Sequence, residues 1–378
     1  MTIQTTIQKV NAIRSYLTTQ FKERDDVVEG LLTALVARVH ILLIGAPGTA
    51  KSAVTVALSG LIDGFDYFQW LLTKFSTPEE LFGPYDLSKL KQGLYERITV
   101  GKLPHAHMAY LDEIFKANSA ILNSLLTIAN ERVFYNGTRR TNVPLWTLVG
   151  TSNEYPQEAE LQAVFDRFML RYEPGYVKED SNFAAMLLQV PQQEPDPLAL
   201  ADMEELQFAA AQVKVDSTVV DALISLKADL AQEGILLSDR RWVQVTRQLL
   251  PARAVLAGRD HVVLEEDGDI LIHALWEEPA QKATVTGTVR KRLDPVAGQV
   301  SELLEDARDI ANNAKKTPDD KAVAVGTEAM KKFKEIRKEI QSFIALGGSP
   351  AKMERMKQAD SHVEELAKEV MSKCLLGA

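Results

Sequence analysis

Continuous apolar runs alternate with helical patterns over residues 38–175. Three of these runs have the length of a strand: residues 39–44 (VHILLI), 108–111 (MAYL) and 145–150 (LWTLVG). Apolar runs without polar alternation are typical of parallel strands that are covered on both faces. Because segments with helical spacing lie between them, we expect an α/β fold in which helices flank a parallel sheet.

The rest of the chain has mainly helical spacing. In residues 1–37, apolar side chains recur about every three or four positions: Ile7, Val10, Ile13 and Leu17, then Val27, Leu31 and Leu35. Residues 176–280 are predicted to form a separate small helical domain that is reached through a polar linker. Residues 281–300 include the β-prone run 283–289 (ATVTGTV), so a linker or a small β element is predicted there.

Residues 301–378 are rich in Lys, Glu and Ala and contain two helix breaks. The first break is TPDD at 317–320, which reads as a cap, an N1 proline and an acidic first turn; the second is GGSP at 347–350. Between and after the breaks, apolar residues recur at steps of three and four. We predict a C-terminal region of three helices that fold back on each other; the alternative is an arm that docks on a neighbour or a partner.

A phosphate-binding loop is predicted at residues 45–52 (GAPGTAKS). The loop directly follows the first apolar run and precedes a helix-compatible stretch, which is the strand–loop–helix order that such a loop requires. Its N–H groups and the next helix N-terminus would face phosphate oxygens, Lys51 would bind the β- and γ-phosphates, and Ser52 would bind Mg²⁺. The predicted nucleotide contacts are Gly45, Ala46, Pro47, Gly48, Thr49, Ala50, Lys51, Ser52 and Ala53.

One position of this loop departs from the usual pattern. Ala50 stands directly before the lysine, where such loops usually have glycine. The extra methyl group is expected to be tolerated if residue 50 keeps a negative φ, a conformation that does not need glycine.

Polar side chains follow two of the predicted strands. Asp112 and Glu113 follow the run 108–111: Asp112 would hold Mg²⁺ through water, and Glu113 would polarise the water that attacks the γ-phosphate. Since adjacent residues on a strand point to opposite faces, the two carboxylates share one site only where the chain begins to turn. Asn153 ends the third strand and would orient the same water and report on the γ-phosphate.

Arginines in two later segments are candidates for further phosphate contacts. Arg167 is flanked by apolar residues, so it needs an anionic partner; at a domain edge it would reach the γ-phosphate of a neighbouring subunit as an arginine finger. Arg171 is the alternative finger. Arg240 or Arg241 follows a candidate N-cap and would project toward the bound nucleotide as a second sensor from the helical domain.

Composition limits the function classes further. The 378 residues carry a formal net charge of -9, which argues against binding of nucleic acid by bulk charge. The single cysteine, Cys374, cannot form an internal disulfide, and no stretch approaches the ~20 apolar residues of a membrane helix. We therefore expect a cytoplasmic protein without membrane insertion.

The motifs and the sequence between them resemble the MoxR family of AAA+ ATPases, close to its RavA branch. The resemblance covers residues 20–280 and is most specific at 111–137 (LDEIFKANSAILNSLLTIANERVFYNG), with 45–52, 151–153 (TSN) and 163–168 (AVFDRF) in the expected order. It implies an AAA+ P-loop NTPase core in residues 1–175, with ATP, ADP and Mg²⁺ as ligands, followed by the helical lid.

The resemblance also implies an assembly and a task. Members of the family form rings, typically hexamers, and act in a chaperone-like manner, often with a partner that carries a von Willebrand factor A domain. Two family inserts match residues 82–106 and a hairpin at 131–145, which would face the ring pore or its rim. The candidates for gripping a protein substrate there are Tyr85, Leu94, Tyr95 and Phe134. We expect a ring-forming ATPase that remodels a partner protein.

Two other functions are compatible with these motifs. A nucleic-acid motor would use Arg139 and Arg140 on the hairpin, although the acidic balance makes nucleic acid an unfavoured partner. A nucleotide-gated assembly scaffold would need binding without hydrolysis. The presence of Asp112, Glu113 and Arg167 argues against the scaffold.

Overall fold

The computed structural model describes residues 3–156, 158–188, 192–293, 295–317, 319–347 and 350–374. The chain divides into two compact units. The first comprises residues 1–220, 237–263 and 273–277, and the second comprises residues 221–236, 264–272 and 278–378.

The first unit is built on a parallel sheet. Its strands are β1 (His40–Ile44), β2 (Ile62–Asp63), β3 (Tyr67–Leu71), β4 (Met108–Asp112), β5 (Val133–Asn136), β6 (Arg139–Asn142), β7 (Thr147–Ser152), β8 (Phe168–Tyr172) and β9 (Leu198–Ala199). Five of them form the sheet in the order β3-β4-β7-β1-β8, and every neighbouring pair is parallel. All residues of β1 and β7 are buried, as expected for strands covered on both faces. The predicted α/β layer is confirmed.

Three of the five sheet strands were predicted, and two were not. The runs at 39–44, 108–111 and 145–150 became β1, β4 and β7. The edge strands β3 and β8 carry polar or charged residues within five-residue runs, so they lack the continuous apolar pattern of the central strands. Hydrogen bonding of β3 to β4 and of β8 to β1 stabilises these two strands although their own sequence pattern does not predict them.

Helices cover the sheet and fill the rest of the first unit. They are α1 (Ile3–Gln20), α2 (Asp25–Ala37), α3 (Lys51–Gly60), α4 (Pro78–Phe82), α5 (Leu87–Leu90), α6 (Ser119–Glu131), α7 (Ala159–Phe165), α8 (Asp180–Leu187), α9 (Leu200–Gln212), the start of α10 (Ser217–Gln232), α11 (Asp239–Gln244) and α12 (Leu250–Leu256). A π-helical turn, Val245–Leu249, joins α11 to α12. Val10, Ile13 and Leu17 of α1 are fully buried, as their spacing predicts.

The two inserts form irregular structure next to the sheet. Residues 82–106 contain α5, an isolated bridge between Tyr85 and Arg97, and a 3-10 turn, Leu103–His105. Residues 131–145 contain the antiparallel pair β5–β6, whose turn follows Asn136. Asn136 accepts a hydrogen bond from Arg97 N at 2.6 Å and donates one to Arg97 O at 3.0 Å, so its side chain ties the two inserts together.

The second unit is helical. It contains the rest of α10, α13 (Leu264–Asp267), α14 (Lys282–Leu293), α15 (Pro295–Lys316), α16 (Asp319–Leu346) and α17 (Pro350–Cys374). The last three helices share an apolar core that includes Ala307, Phe333, Ile340, Val363 and Val370. The predicted three-helix region is present, and its first helix begins at Pro295 rather than near residue 301.

The β alternative predicted for residues 281–300 is wrong. Residues 283–289 lie in α14, where Val285, Val289 and Leu293 are buried at steps of four. β-branched residues have only a weak preference for strands, and burial of one helical face outweighs it. The predicted lid boundary at residue 176 stays a prediction, although α9, α11 and α12 belong to the first compact unit.

The described helices include none that is long and apolar enough to cross a lipid bilayer.

Candidate active site

The phosphate loop lies at the carboxyl end of β1, before α3. Gly45 N donates to Ser152 O of β7 at 3.0 Å, which fixes the start of the loop to the neighbouring strand. Gly48 has φ +81° and Ala50 has φ +63°, so the backbone enters the left-handed region twice before α3 begins at Lys51. Backbone that bends in this way turns successive N–H groups into one concavity, beside a helix N-terminus that favours anions. This cradle fits a polyphosphate.

Ala50 does not have the negative φ that was the condition for tolerating its methyl group. Its φ of +63° is the left-handed conformation that glycine adopts without cost. The loop needs this bend to bring Lys51 to the start of α3, so the alanine is strained rather than relaxed. The methyl group does not prevent the loop conformation.

Replacing Ala50 with glycine is expected to raise the free energy of unfolding by about 0.5–1 kcal/mol, because relief of left-handed strain exceeds the entropy gained by the unfolded chain. Urea unfolding at 25 °C measures the change. The matched control is Ala57→Gly in the middle of α3, which should lower the same free energy by about 1 kcal/mol. Equal destabilisation by both substitutions would contradict strain at residue 50.

Lys51 reaches back over the loop toward Asn153. Its ammonium group donates to Gly45 O, to Ala46 O at 3.0 Å and to Asn153 Oδ1 at 3.3 Å. Burial lowers the pKa of Lys51 below its ordinary value, while the charges of Asp112 and Glu113 act in the opposite direction. The positive charge therefore lies between the loop and the carboxylates that follow β4.

Asp112 and Ser52 supply oxygen atoms suited to Mg²⁺. Thr151 Oγ1 donates to Asp112 Oδ1, which also accepts from Glu113 N at 3.1 Å, so one carboxylate oxygen is held in place. Tyr110, whose pKa burial raises to about 12, is hydrogen-bonded to both Thr151 and Ser52. A hydroxyl, a carboxylate and substrate phosphates are the ligands that Mg²⁺ uses in nucleotide sites, and bound Mg²⁺ would neutralise phosphate charge there. These residues fit the metal.

Glu113 lies at the turn after β4 and contacts Asn153. The strand ends at Asp112, and Glu113 has φ +56°, so the two carboxylates are adjacent where the chain changes direction. Asn153 Nδ2 donates to Glu113 Oε1, and Lys116 Nζ lies 3.3 Å from Glu113 Oε2. Lys51, Asn153 and Glu113 thus form a continuous hydrogen-bonded chain at one edge of the sheet. Their catalytic roles stay predictions.

Arg167 lies at the opposite edge of the sheet from the phosphate loop, where the parallel strands have their amino ends. It directly precedes β8, and Phe168 of β8 pairs with His40 at the start of β1, whereas the phosphate loop follows the last residue of β1. The five residues of β1, at ~3.3 Å each, separate the edge with the amino ends from the edge with the carboxyl ends by roughly 16 Å. An arginine side chain cannot cover that distance, so Arg167 cannot reach the phosphate loop of its own subunit.

Asp166 gathers three arginines around one carboxylate. Arg167 and Arg240 bond Asp166 Oδ2 at 2.9 and 3.1 Å, and Arg241 bonds Oδ1 at 2.9 Å. Burial would raise the pKa of Asp166, but the hydrogen bond from Arg241 and the charges of Arg241, Arg240 and Arg167 together lower it. Three guanidinium groups against one carboxylate leave an excess of positive charge at this edge.

Arg241 is not placed as a sensor of the nucleotide. Its side chain is 2% exposed, and it donates to Met169 O, Ala274 O and Asp166. A buried guanidinium needs such partners, and these occupy it within the α/β unit. Arg240 is 45% exposed and bonds Asn130 Oδ1 and Asp166, also away from the phosphate loop.

The alternative finger, Arg171, is excluded by its surroundings. It is fully buried, donates to Trp276 O and Phe165 O, and its guanidinium lies 4.2 Å from the centroid of the Phe165 ring. Arg167 therefore remains the better candidate. Beside it lies a cavity of about 530 Å³ whose lining includes Arg38, Arg132, Arg167 and Arg240.

The insert residues predicted to grip substrate divide into exposed and buried ones. Tyr85, Leu94 and Tyr95 are 38%, 40% and 65% exposed. Phe134 is 7% exposed and stacks on Phe82 with 5.4 Å between ring centroids, so the prediction for Phe134 is wrong. Strand alternation turns its neighbour Tyr135 outward instead, where it is 56% exposed.

Comparison with known proteins decides the family. Residues 8–209 match the model of the MoxR domain found in MoxR–vWA–β-propeller ternary systems, and residues 218–289 match that of an AAA lid domain. The chain belongs to the MoxR family of AAA+ ATPases. The RavA-like branch is not supported by these matches and stays a prediction.

Relatives of this MoxR-family chain span most of its length. The uncharacterized protein MJ0812 of Methanocaldococcus jannaschii is 36% identical over 95% of both chains. The chaperone MoxR1 of Mycobacterium tuberculosis is 28% identical over 67% of this chain and 71% of its own. A crystal structure of a proposed ATPase from Cytophaga hutchinsonii has a TM-score of 0.63, with 20% identity, 77% coverage of this chain and 96% of that one. This last likeness shows the AAA+ fold alone.

Several residues of the MoxR-family site were not identified from the sequence. Thr151 orders Asp112, Lys116 pairs with Glu113, and Arg24 donates to the phosphate loop at Thr49 O. Thr151 precedes the predicted sensor by two positions and could have been found from strand alternation. Arg24 lies 25 positions from Thr49, and only the tertiary fold brings the two together.

Proposed function

We propose that this chain binds Mg-ATP, hydrolyses it in a ring of identical subunits, and uses the cycle to remodel a partner protein. The family establishes an ATPase with a generally partner-activating role. The observation that carries the finer proposal is the separation of Arg167 from its own phosphate loop by the length of β1. A finger on that edge can serve only the nucleotide of an adjacent copy.

Within one site, the roles follow from the contacts. The loop amides and Lys51 hold the phosphates, and Ser52 and Asp112 hold Mg²⁺. Asn153, which contacts both Lys51 and Glu113, orients the attacking water, and Glu113 accepts its proton. When a phosphate competes for Lys51, the lysine's bond to Asn153 weakens, which links occupation of the loop to the position of the base.

At the opposite edge, the excess positive charge is available to a neighbour's phosphates. Asp166 orders Arg167 and Arg240 in the same cluster, so we assign Arg240 to the trans side together with Arg167. This replaces the expected role of Arg240 toward its own nucleotide. Arg241, which is buried, holds Asp166 in place. Two guanidiniums from one subunit would then close the site of the next, with Arg167 supplying the transition-state charge.

The partner is a protein in this proposal. The matched domain comes from systems with vWA and β-propeller components, so a vWA-domain protein is the proposed partner. The exposed Tyr85, Leu94 and Tyr95 on the insert are the proposed substrate contacts. The proposed ring is a hexamer, and its proposed location is the cytoplasm. A nucleic-acid motor remains the second candidate because Arg139 and Arg140 are both exposed on the hairpin.

The test combines mass and turnover on the purified chain. We expect Mg-ATP to convert the protein to a ring-sized species by native mass measurement, and ATP turnover per subunit to rise with protein concentration. Concentration-independent turnover by a monomer would contradict the ring. Stimulation by single-stranded DNA that falls steeply with salt would favour the nucleic-acid motor instead.

A further inference from the structure

Arg24 joins the phosphate loop to a distant segment of the chain. It lies directly before α2 and is 6% exposed. Its Nε donates to Thr49 O at 3.0 Å, and a second nitrogen donates to Gly175 O, in the segment that leaves the sheet after β8. The rigid guanidinium therefore bridges a carbonyl of the loop and a carbonyl of that segment.

Glu23 extends the connection on the same side. Its carboxylate accepts from Lys178 N and Glu179 N, both at 2.9 Å, and from Asn182 Nδ2 at 3.2 Å. These backbone bonds from Glu179 and Lys178 lower the pKa of Glu23. Glu23 has φ +56°, a conformation that non-glycine residues adopt at a cost. The dipeptide Glu23–Arg24 thus holds residues 175–182 at several points.

Two further contacts join the same pieces of chain. Tyr176 hydroxyl donates to Pro47 O at 3.3 Å. At Gly45, a Cβ atom would lie 2.5 Å from Pro174 O, so the backbones approach too closely for any side chain there. The loop, residues 23–24 and residues 174–182 are therefore one contact network on the first unit.

The planarity of the peptide bond gives the bridge a function. Thr49 O and Ala50 N–H belong to one planar trans unit, so they point in opposite directions. Arg24 holds the carbonyl side of this unit. The amide of Ala50, a residue in the strained left-handed conformation, is thereby kept facing away from Arg24. Any rotation of the unit would move Thr49 O and therefore disturb Arg24, which also donates to Gly175 O in the segment after β8.

We propose that Arg24 is a positioning residue that presents the Ala50 amide to phosphate and couples occupation of the loop to residues 174–182. This inference rests on the proposed nucleotide site. Arg24 is a buried guanidinium outside the phosphate loop and the acidic pair Asp112–Glu113, and in this proposal it carries the coupling. Arg24 acts through the loop and does not itself touch the reacting atoms.

The first test replaces Arg24 with lysine, which keeps the charge but has a single ammonium group in place of the planar fork whose separate nitrogens bond Thr49 O and Gly175 O. We expect Mg-ADP affinity to fall about tenfold, because the charge-assisted hydrogen bond that holds the peptide unit of Thr49 and Ala50 is weakened. In the wild-type chain, Mg-ADP should change hydrogen exchange at the amides of Lys178 and Glu179. In Arg24→Lys at saturating Mg-ADP, that response should be lost while the phosphate loop is still protected.

Two further variants separate positioning from folding. Glu23→Gln removes a charge from the same network but leaves the Arg24 bond to Thr49 intact, so it should change exchange at Lys178 and Glu179 with less than a twofold change in affinity. Arg14→Lys weakens an arginine–carboxylate pair with Glu29, outside this network, and should change neither readout. Tyr176→Phe removes one exposed hydroxyl contact and keeps the test open if Arg24→Lys does not fold; it should reduce the exchange response in part.

The outcomes distinguish this proposal from the one before it. No binding of Mg-ADP by the wild-type chain would overturn both. Binding without any exchange response in residues 174–182 would overturn the coupling alone. An unaltered response and affinity in Arg24→Lys, or an unaltered response in Tyr176→Phe should the lysine variant not fold, would also overturn it.

Discussion

Replacing Arg167 with alanine is expected to reduce ATP turnover about 10³-fold, because a trans arginine stabilises the charge on the transferred phosphoryl group. Each subunit's own phosphate loop is intact in this variant, so the affinity for Mg-ADP should stay within about twofold of the wild type. Steady-state turnover and equilibrium titration give the two numbers. Arg140→Ala, on the exposed hairpin, is the matched control and should change turnover little.

Mixing two inactive variants tests whether the finger acts between subunits. A subunit with Arg167→Ala retains Glu113, and a subunit with Glu113→Gln retains Arg167. In a randomly mixed ring, about a quarter of the interfaces combine an intact base with an intact neighbouring finger, so about a quarter of wild-type turnover should return. No recovery, in rings shown by mass to be mixed, would mean that Arg167 acts only within its own chain.

The sequence predicts that the candidate nucleotide-site residues lie close together because they follow strands that are recognisable locally. Lys51, Asp112 and Asn153 each follow an apolar run, and parallel strands bring their carboxyl ends to one edge. The contacts of Lys51 and Glu113 with Asn153 are consistent with that argument. The fold and these positions are therefore accessible without coordinates.

The remaining features depend on tertiary packing and could not be predicted. Arg241 and Arg240 are adjacent in a basic pair, but one is buried and the other is half exposed, which depends on how α11 packs near Met169 and Ala274. Phe134 lies inward because Phe82 packs on it. Ala50 has a positive φ that its residue type argues against. In each case a long-range contact or loop closure outweighs the local preference.

The edge of the sheet at the carboxyl ends of the strands and the edge at their amino ends have complementary charges. The nucleotide edge carries Asp112 and Glu113 and would receive a polyphosphate, while the other edge carries Arg167 and Arg240 around a single carboxylate. Unlike charges on opposite edges favour head-to-tail association of copies, which closes into a ring when the rotation between copies permits it. The arrangement of charge therefore gives the proposed ring a physical basis beyond the finger itself.

Replacing Glu113 with glutamine is expected to lower ATP turnover by about 10²–10⁴-fold while Mg-ATP still binds, because the amide cannot accept the proton of the attacking water. Its shape is retained, so the contact with Asn153 can persist. Single-turnover hydrolysis and a binding titration should separate the two effects. Glu113→Gln should also accumulate the ATP-bound ring, which native mass measurement detects.

The matched control for this variant is Glu154→Gln, which removes an equal charge from an exposed residue lining the same cavity as Glu113. It should leave turnover within about twofold, because Glu154 is not part of the hydrogen-bonded chain of Lys51, Asn153 and Glu113. If both substitutions reduced turnover alike, local charge rather than proton transfer would explain the loss. If Glu113→Gln hydrolysed ATP at the wild-type rate, the general base would have to be another group.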